Sequence, residues 1–397
     1  MTVLDRDAVA WILGAESSAE FYAEHHGRRW FHAQPGSPDR FGELLSVADL
    51  DEVLGRFGLR HPAIKLVRAG DPVPASEYVW RDRMVDPARV AALFAEGATI
   101  VFGGLHDHHE PTRRLCSAVS KQVSARTQTN IYLTPPGSQG FRPHWDTHDV
   151  FVLQVEGSKR WRIYAGGPEL PLKGHKFDPK IHEAGDVECE FTLCRGEALY
   201  VPRGQMHAAS TTEETSVHIT LGVMSYTWAD LMTDVLSEVV DRSAAWRENV
   251  PTGFAVDPGE TDALRAELAR RVATLAGEMD LPAVVTARAD AFADQVRPRV
   301  VDHLRQAGFA ASVAEEDQVK WRPGFPGRVE DRDARVAVVC RGREVEFPGA
   351  AKATLQRLLT GATFTAGELG DGLDWPSCAV VLRALVREGW VAVSGRC

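Results

Sequence analysis

In the run Phe141-Arg142-Pro143-His144-Trp145-Asp146, a histidine and an aspartate stand two positions apart. Side chains of an extended chain repeat every two residues, so this imidazole and carboxylate would share a face and could hold one metal ion. A third ligand must come from elsewhere. His207, which follows the turn-forming Tyr200-Val201-Pro202-Arg203-Gly204, is the best candidate. Two imidazoles and one carboxylate make the facial set that leaves three positions of a ferrous ion open to reactants. The same spacing also arises by chance as a hydrogen-bonded surface pair, so residue types alone leave both readings standing. Other histidines compete. His106-Asp107-His108-His109-Glu110 has ligand types enough for zinc, but so dense a polar run after Gly103-Gly104 reads first as an exposed loop. His148 reads as a substrate-orienting or solvent-facing group. His218 falls opposite the apolar Val217, Ile219 and Leu221, facing an interior or satisfied within a core.

The elements that would position these residues are β-rich. Between about 129 and 225, short strands alternate with turn chemistry, the mark of a barrel or sandwich. Thr129–Thr134 ends at Pro135-Pro136-Gly137, and Asp149–Val155 turns through Glu156-Gly157-Ser158 into Lys159–Tyr164. In the first of these two strands Val150, Val152 and Gln154 alternate with Phe151, Leu153 and Val155. Strands over 186–193, 198–201, 207–211 and 217–224 complete the supply of a double-sheet jelly roll. Upstream, helical spacing runs from Asp7 to Gly27, Trp30-Phe31-His32 looks extended, and Ser46 with Asp49 forms a capping pattern. Asp86–Glu96 reads as another helix before the strand 98–102. After 226 the period becomes helical. Thr227 caps with Asp230, Leu231, Val235 and Val239 follow at four-residue spacing, and helices are expected over 261–278 and 282–308 with Asp257-Pro258-Gly259 as a breaker. The stretch 320–397 reads as a small α+β unit with strands within 335–347, helices at 351–359, near 366 and over 377–389, and a last strand at 390–393.

The chain has 397 residues, 44% of them hydrophobic and 25% charged, enough for two or three soluble domains. A formal charge of −10 argues against a surface built to wrap nucleic acid. The opening Met1-Thr2-Val3-Leu4-Asp5-Arg6-Asp7 does not read as a signal peptide, and no apolar run of about 20 residues suggests a membrane span. The six cysteines (Cys116, Cys189, Cys194, Cys340, Cys378 and Cys397) are scattered, so a reduced state and a cytoplasmic address are expected.

The run from Asn130 to Asp146, followed by Val150 to Tyr164, closely resembles the ribosomal oxygenases of the JmjC and cupin group, with its bacterial arginyl and eukaryotic histidyl protein hydroxylase branches. Leu199–His207 and Ser216–Gly222 extend the likeness. The resemblance implies an α+β multidomain chain. An N-terminal extension plus a double-stranded β-helix (JmjC/cupin jelly-roll) barrel would occupy 1–226, with the barrel core at about 98–226. A helical dimerisation region over 227–312 and a winged-helix module over 313–397 would follow. It implies iron ligation by His144, Asp146 and His207, and 2-oxoglutarate held by Lys159 and Tyr132, with Asn130 and Thr220 completing the polar lining. Without the resemblance, Lys159 would read as a solvated hairpin lysine and Tyr132 as strand packing. The implied chemistry uses Fe(II), 2-oxoglutarate and O2, and hydroxylates a protein side chain while releasing succinate and CO2. Lys at 159 and Tyr at 132 lean toward the histidyl branch.

The expected partner is a protein or peptide, a ribosomal protein foremost, met by a homodimer. The same chemistry on a peptide natural product or small molecule is the alternative, ahead of methyl-lysine demethylation. A zinc or manganese cupin working without 2-oxoglutarate is a further one. A ligand-sensing winged-helix regulator is the reading of another class. The candidate recognition helix carries only Arg383 and Arg387, with Glu388 opposing them, which argues against direct DNA binding.

Overall fold

The computed structural model of the chain describes residues 6–56, 58–138, 141–295 and 302–394. The chain divides into two compact units, residues 1–226 and 227–397. In chain order the first unit contains α1 (Ala8–Leu13), α2 (Ala19–Glu24), β1 (Phe31–Ala33), α3 (Val47–Arg56), β2 (Ile64–Arg68), β3 (Asp71–Pro72) and α4 (Pro87–Ala95). It continues with β4 (Thr99–Gly103), α5 (Glu110–Val123), β5 (Arg126–Thr134), β6 (Asp149–Glu156), β7 (Lys159–Tyr164) and β8 (Val187–Leu193). β9 (Ala198–Val201), β10 (Met206–Thr211) and β11 (Ser216–Met224) complete it.

These strands form two antiparallel sheets, one in the order β1-β9-β6-β11-β5-β4-β2-β3 and the other β10-β7-β8. The alternation read in β6 is real. Val150 and Val152 pack with Trp161, Leu193, Leu199 and Val201 between the sheets. Phe151, Leu153 and Val155 instead join the large core that the helices build on the outer face of the eight-stranded sheet. Both faces of β6 are therefore buried, which is why its sequence carries an almost unbroken apolar run. From β11, Val217, Ile219, Leu221 and Val223 enter that same outer core, which leaves His218 and Thr220 to the space between the sheets.

Local capping explains several helix starts. Asp49 accepts from the Ser46 N–H at 2.8 Å, and Ser46 Oγ accepts from the Asp49 N–H at 3.2 Å. Asp86 accepts from Ala88 and Arg89, with Pro87 in the first turn of α4. The first unit departs from the sequence reading in these places. The helical stretch 7–27 is two helices, because Gly14 takes a left-handed conformation and stops the first. In the run at 106–110, Asp107, His108 and Glu110 are exposed as expected, but a short 3-10 turn leads into α5 and the half-buried His106 ring accepts from the Thr129 N–H at 3.2 Å. Strand β2 and helix α5 were not anticipated, since their apolar residues are few and short-spaced.

The second unit opens with α6 (Trp228–Arg242), held by a full capping box between Thr227 and Asp230. α7 (Pro258–Glu278), α8 (Leu281–Gln295) and α9 (His303–Phe309) follow. Asp257-Pro258-Gly259 proves to start α7 rather than break a helix, since Asp257 accepts from Gly259 and Glu260 and Pro258 needs no N–H partner there. The helix expected over 282–308 is interrupted: α8 ends at Gln295 and α9 begins at His303, with 296–301 outside the described residues. Next come β12 (Gln318–Trp321), β13 (Gly327–Arg332), β14 (Arg335–Cys340), β15 (Arg343–Pro348), α10 (Lys352–Leu359), β16 (Thr363–Thr365), α11 (Trp375–Arg387) and β17 (Val391–Ser394). β13, β14 and β15 form one meander, and β16-β12-β17 forms a second sheet. Leu355, Leu358, Leu382, Leu385 and Trp390 build its core. Cys116, Cys189, Cys194, Cys340 and Cys378 are unpaired. No helix among the described residues is long and apolar enough to cross a membrane.

Leu153, fully buried in the outer core, measures how firmly the large sheet is backed. Leu153→Ala should cost about 2–5 kcal/mol of unfolding free energy, seen as a lower denaturant midpoint by circular dichroism. A loss below about 1 kcal/mol would contradict the packing described for this face.

Candidate metal centre

Between the two sheets lies a cavity with about 510 Å³ of empty space, part of it open to solvent. Tyr132 (β5), Val150 and Val152 (β6), and His218 and Thr220 (β11) line it from the larger sheet. Lys159 and Trp161 (β7) with His207 and Ala209 (β10) line it from the smaller one. Phe141, His144 and Asp146, on the segment before β6, complete the wall. Asp146 supplies the only carboxylate among these lining residues.

His144, Asp146 and His207 each offer a ligand atom, and these atoms lie within 4.8 Å of one another. The backbone brings them together. The His144 N–H donates to the His207 carbonyl at 3.1 Å, and the His207 N–H returns the bond to His144 at 2.9 Å. His144 and His207 thus face each other as one isolated antiparallel pair, with ring centroids 4.6 Å apart. Both rings are oriented alike. Nδ1 of His144 lies 2.8 Å from the Arg142 carbonyl, and Nδ1 of His207 lies 2.9 Å from the Gln205 carbonyl. A carbonyl can only accept, so each Nδ1 carries the proton and each Nε2 keeps its lone pair for a metal. Burial, with His144 beside it, holds His207 down at about 4, so this ring is neutral and ready to ligate at neutral pH. Trp145, between the two ligands, turns away from the cavity into a small cluster with Tyr164, Met206 and Ala208. The two-residue alternation expected of H-x-D is thereby present even though the segment is not a regular strand.

The turn that delivers His207 is fastened to the same segment. The Gly204 N–H donates to the Asp146 carbonyl at 2.9 Å, and the Arg203 N–H donates to Asp149 Oδ1 at 2.9 Å. Asp149 is buried and also accepts from Ser225 Oγ at 3.2 Å. The sequence reading missed Asp149, whose only signal is an acidic residue opening an otherwise apolar strand.

A second polar cluster occupies the same cavity. Lys159 is not a solvated hairpin residue. It is 3% exposed, its Nζ donates to Thr134 Oγ1 at 3.1 Å, and burial pushes it down to about 7. The Tyr132 ring lies 6.0 Å from that amine, and burial and then Asp146 raise its phenol well above the usual range. Thr220 lines the cavity as expected. Asn130 does not: it shares a strand face with Tyr132 and pairs with Thr220, but it lies outside the lining residues. Trp161 was also missed. It stands two residues from Lys159 on β7, so it shares the cavity face, and its buried Nε1 has no hydrogen-bond partner among the described residues. His148 is placed against Gly222 of β11 rather than in the cavity.

Residues 105–231 match the family model of the JmjC domain. That stretch, which holds the barrel strands and the three candidate ligands, is similar to a JmjC domain. Over 336 residues it is 28% identical to a protein of Culex quinquefasciatus named bifunctional lysine-specific demethylase and histidyl-hydroxylase NO66, covering 78% of this chain and 51% of that protein. The Drosophila melanogaster protein of the same name is 31% identical over 258 residues, covering 62% of this chain and 39% of its own length. The chain thus spans about half or less of the curated relatives it matches. Among solved structures it resembles YcfD, a ribosomal oxygenase from Escherichia coli, in complex with cobalt and 2-oxoglutarate. The TM-score is 0.51 at 19% identity, over 95% of this chain and 98% of that one. At that identity the likeness speaks for the fold alone, and the resemblance to the JmjC and cupin group read from the motifs holds over 105–231.

Gly204 has φ +85°, and a Cβ there would meet the Pro168 carbonyl oxygen at 2.1 Å and Pro171 Cδ at 2.7 Å. Gly204→Ala should destabilise the JmjC domain by roughly 1–3 kcal/mol and weaken divalent metal binding, because the displaced turn carries His207. Thermal melting and calorimetric titration with cobalt(II) measure the two effects. Unchanged metal affinity would show that this turn does not set the ligand.

Proposed function

We propose that this protein is an Fe(II)- and 2-oxoglutarate-dependent oxygenase that hydroxylates a protein side chain, with a ribosomal protein as the foremost substrate. One observation carries the reading: a three-ligand metal set and a buried lysine, which has no carboxylate partner among the described residues, share a single cavity. The donor set suits ferrous iron, with His144 Nε2, His207 Nε2 and an Asp146 oxygen as ligands and half the coordination sphere left open. A ferrous ion bound there, with 2-oxoglutarate and dioxygen, would supply the oxidising power that converts a C–H bond to C–OH as succinate and CO2 leave.

The chain's own residues bind, orient and exclude water. Lys159 offers its ammonium to the distal carboxylate of the co-substrate, and the Tyr132 phenol donates beside it. Thr220 extends the polar lining. Val150, Val152, Trp161 and Ala209 keep the site dry, which strengthens each of these contacts. Phe141, partly exposed at 36%, lies 5.9 Å from the His144 ring and 5.8 Å from Tyr132, where an incoming side chain would pass. The names of the matched relatives, together with Lys159 and Tyr132, favour a histidyl over an arginyl target. The demethylase role named for the same relatives makes methyl-lysine the second reading. Asn130 stays a reserve member of the co-substrate lining, reached only if its side chain turns inward.

We read the second unit as a helical dimerisation region followed by a winged-helix module, within a cytoplasmic homodimer. Support comes from Trp228, Met232 and Leu236, exposed apolar residues at four-residue spacing on α6 that a partner copy would cover. Support for a packing role of α11, rather than DNA reading, comes from Arg383 reaching the Val313 carbonyl and Arg343 pairing with Glu388.

Two measurements test the enzyme reading. Mass spectrometry of ribosomal proteins from cells with and without the gene should find one histidine that loses a single-oxygen modification. If every ribosomal protein is unchanged, the substrate assignment fails. Lys159→Ala should raise the 2-oxoglutarate Kd roughly tenfold to a hundredfold, as expected for a lost charge-assisted bond. The sign of its pH dependence follows from burial. The free amine sits at about 7, and a bound carboxylate raises it, so at pH 8 binding takes up about one proton and weakens as pH rises. Calorimetry in buffers of different ionisation enthalpy measures that proton, and the variant should lose it.

A further inference from the structure

Residues 165–186 join β7 to β8 without a helix or strand, and the reading above gives them no role. Backbone bonds close the base of this loop. The Ala165 N–H donates to the Asp186 carbonyl at 2.9 Å, and the Gly185 N–H donates to the Ala165 carbonyl at 3.2 Å. Ordered loops of this length are uncommon in compact domains, and those that occur usually serve a site.

This loop touches both segments that carry the metal ligands. Trp145, the residue between His144 and Asp146, is 7% exposed and donates its indole N–H to the His175 carbonyl at 3.3 Å. Phe177 meets the indole edge-on, with centroids 5.0 Å apart and planes at 81°, and the His182 ring lies 4.4 Å from it. His182 is itself held, because its Nδ1 accepts from the Asp178 N–H at 2.9 Å. The same indole packs with Met206 and Ala208, the two neighbours of His207 on β10, and with Tyr164 at the end of β7. At its start the loop presses on the turn before β10, where a Cβ on Gly167 would collide with the Gly204 carbonyl.

Residues flanking all three ligands therefore meet in one apolar cluster, and Phe177 of the loop packs against it. This matters most for His144 and Asp146. They stand on no regular strand and both are partly exposed, so their own packing does little to fix them. A ligand set works only when each member is held to within a fraction of an ångström by groups around it. An indole suits that task, since its rings fill the cluster while its N–H reaches the loop backbone.

We propose that Trp145 is a positioning residue for the metal centre, through which the β7–β8 loop holds His144 and Asp146 against His207. The proposal rests on the metal set of the reading above, and not on its co-substrate or protein target.

Titration of the full chain with cobalt(II), followed by calorimetry and by the visible absorption of the bound ion, tests it. Phe177→Ala alters only the loop, yet should raise the cobalt(II) Kd about tenfold. Trp145→Ala should raise it further, up to about a hundredfold, and shift the absorption band as the ligand geometry relaxes. Trp145→Phe, which keeps a ring in the cluster, should recover most of the affinity. Leu153→Ala, in the outer core, controls for lost stability alone: it should melt lower and bind cobalt(II) as the unmodified protein does. Unchanged affinity in Trp145→Ala overturns the proposal; where that variant does not fold, unchanged affinity in Phe177→Ala does so. An equal loss of affinity in Leu153→Ala also overturns it, since general stability would then set the binding. If the unmodified protein binds no cobalt(II), the metal reading itself fails and this proposal with it.

Discussion

The reciprocal backbone bonds between His144 and His207 are the constraint on which the metal centre depends. They set two imidazoles side by side at one point of the chain's closure, before any metal is considered. The segment that supplies Asp146 and the turn that supplies His207 are then cross-tied through Gly204 and Asp149. Each imidazole has its Nδ1 proton committed to a carbonyl two residues upstream, so the same backbone that places the rings also chooses their tautomers. Preorganisation of this kind leaves the metal little to rearrange.

The cavity has the opposite economy. Among the described residues Lys159 and His218 are buried without acidic partners and the Trp161 N–H has no partner, all within a space walled by valines and aromatic rings. Desolvating such groups opposes folding. The large apolar core on the far face of the eight-stranded sheet, together with the helices that cover it, offsets that cost. Stability is thus concentrated on one face of β5, β6 and β11, and chemistry on the other. The side-chain period of two separates them residue by residue.

How much could be read in advance varied with how local the signal was. Strands β7 and β9 have the bounds read from the sequence, because Gly157 and the Pro202 turn punctuate them sharply. Capping at Ser46, Asp86 and Thr227 was equally legible, being a matter of three or four neighbouring residues. Helix α5 was missed because its start is a polar run that resembles a loop until Thr129 and the core fix it in place. Asp257-Pro258-Gly259 was misread because the same three residues suit a helix stop or a helix start, and only the hydrogen bonds of Asp257 decide.

The sequence by itself determined which residue types were available and on which strand face each would stand. His144 and Asp146 on one side of Trp145, Val150 and Val152 opposite Phe151 and Leu153, and His218 opposite Val217 and Ile219 all follow from alternation, a purely local rule. Only the tertiary structure decided what each face meets. It brought His207 to His144 across the closure of the chain, sank Lys159 from an apparent hairpin surface into a cavity, and left Asn130 outside the wall that Thr220 joins. The physical reason is that alternation sets direction, whereas burial, desolvation and partnership depend on which strand the fold lays opposite.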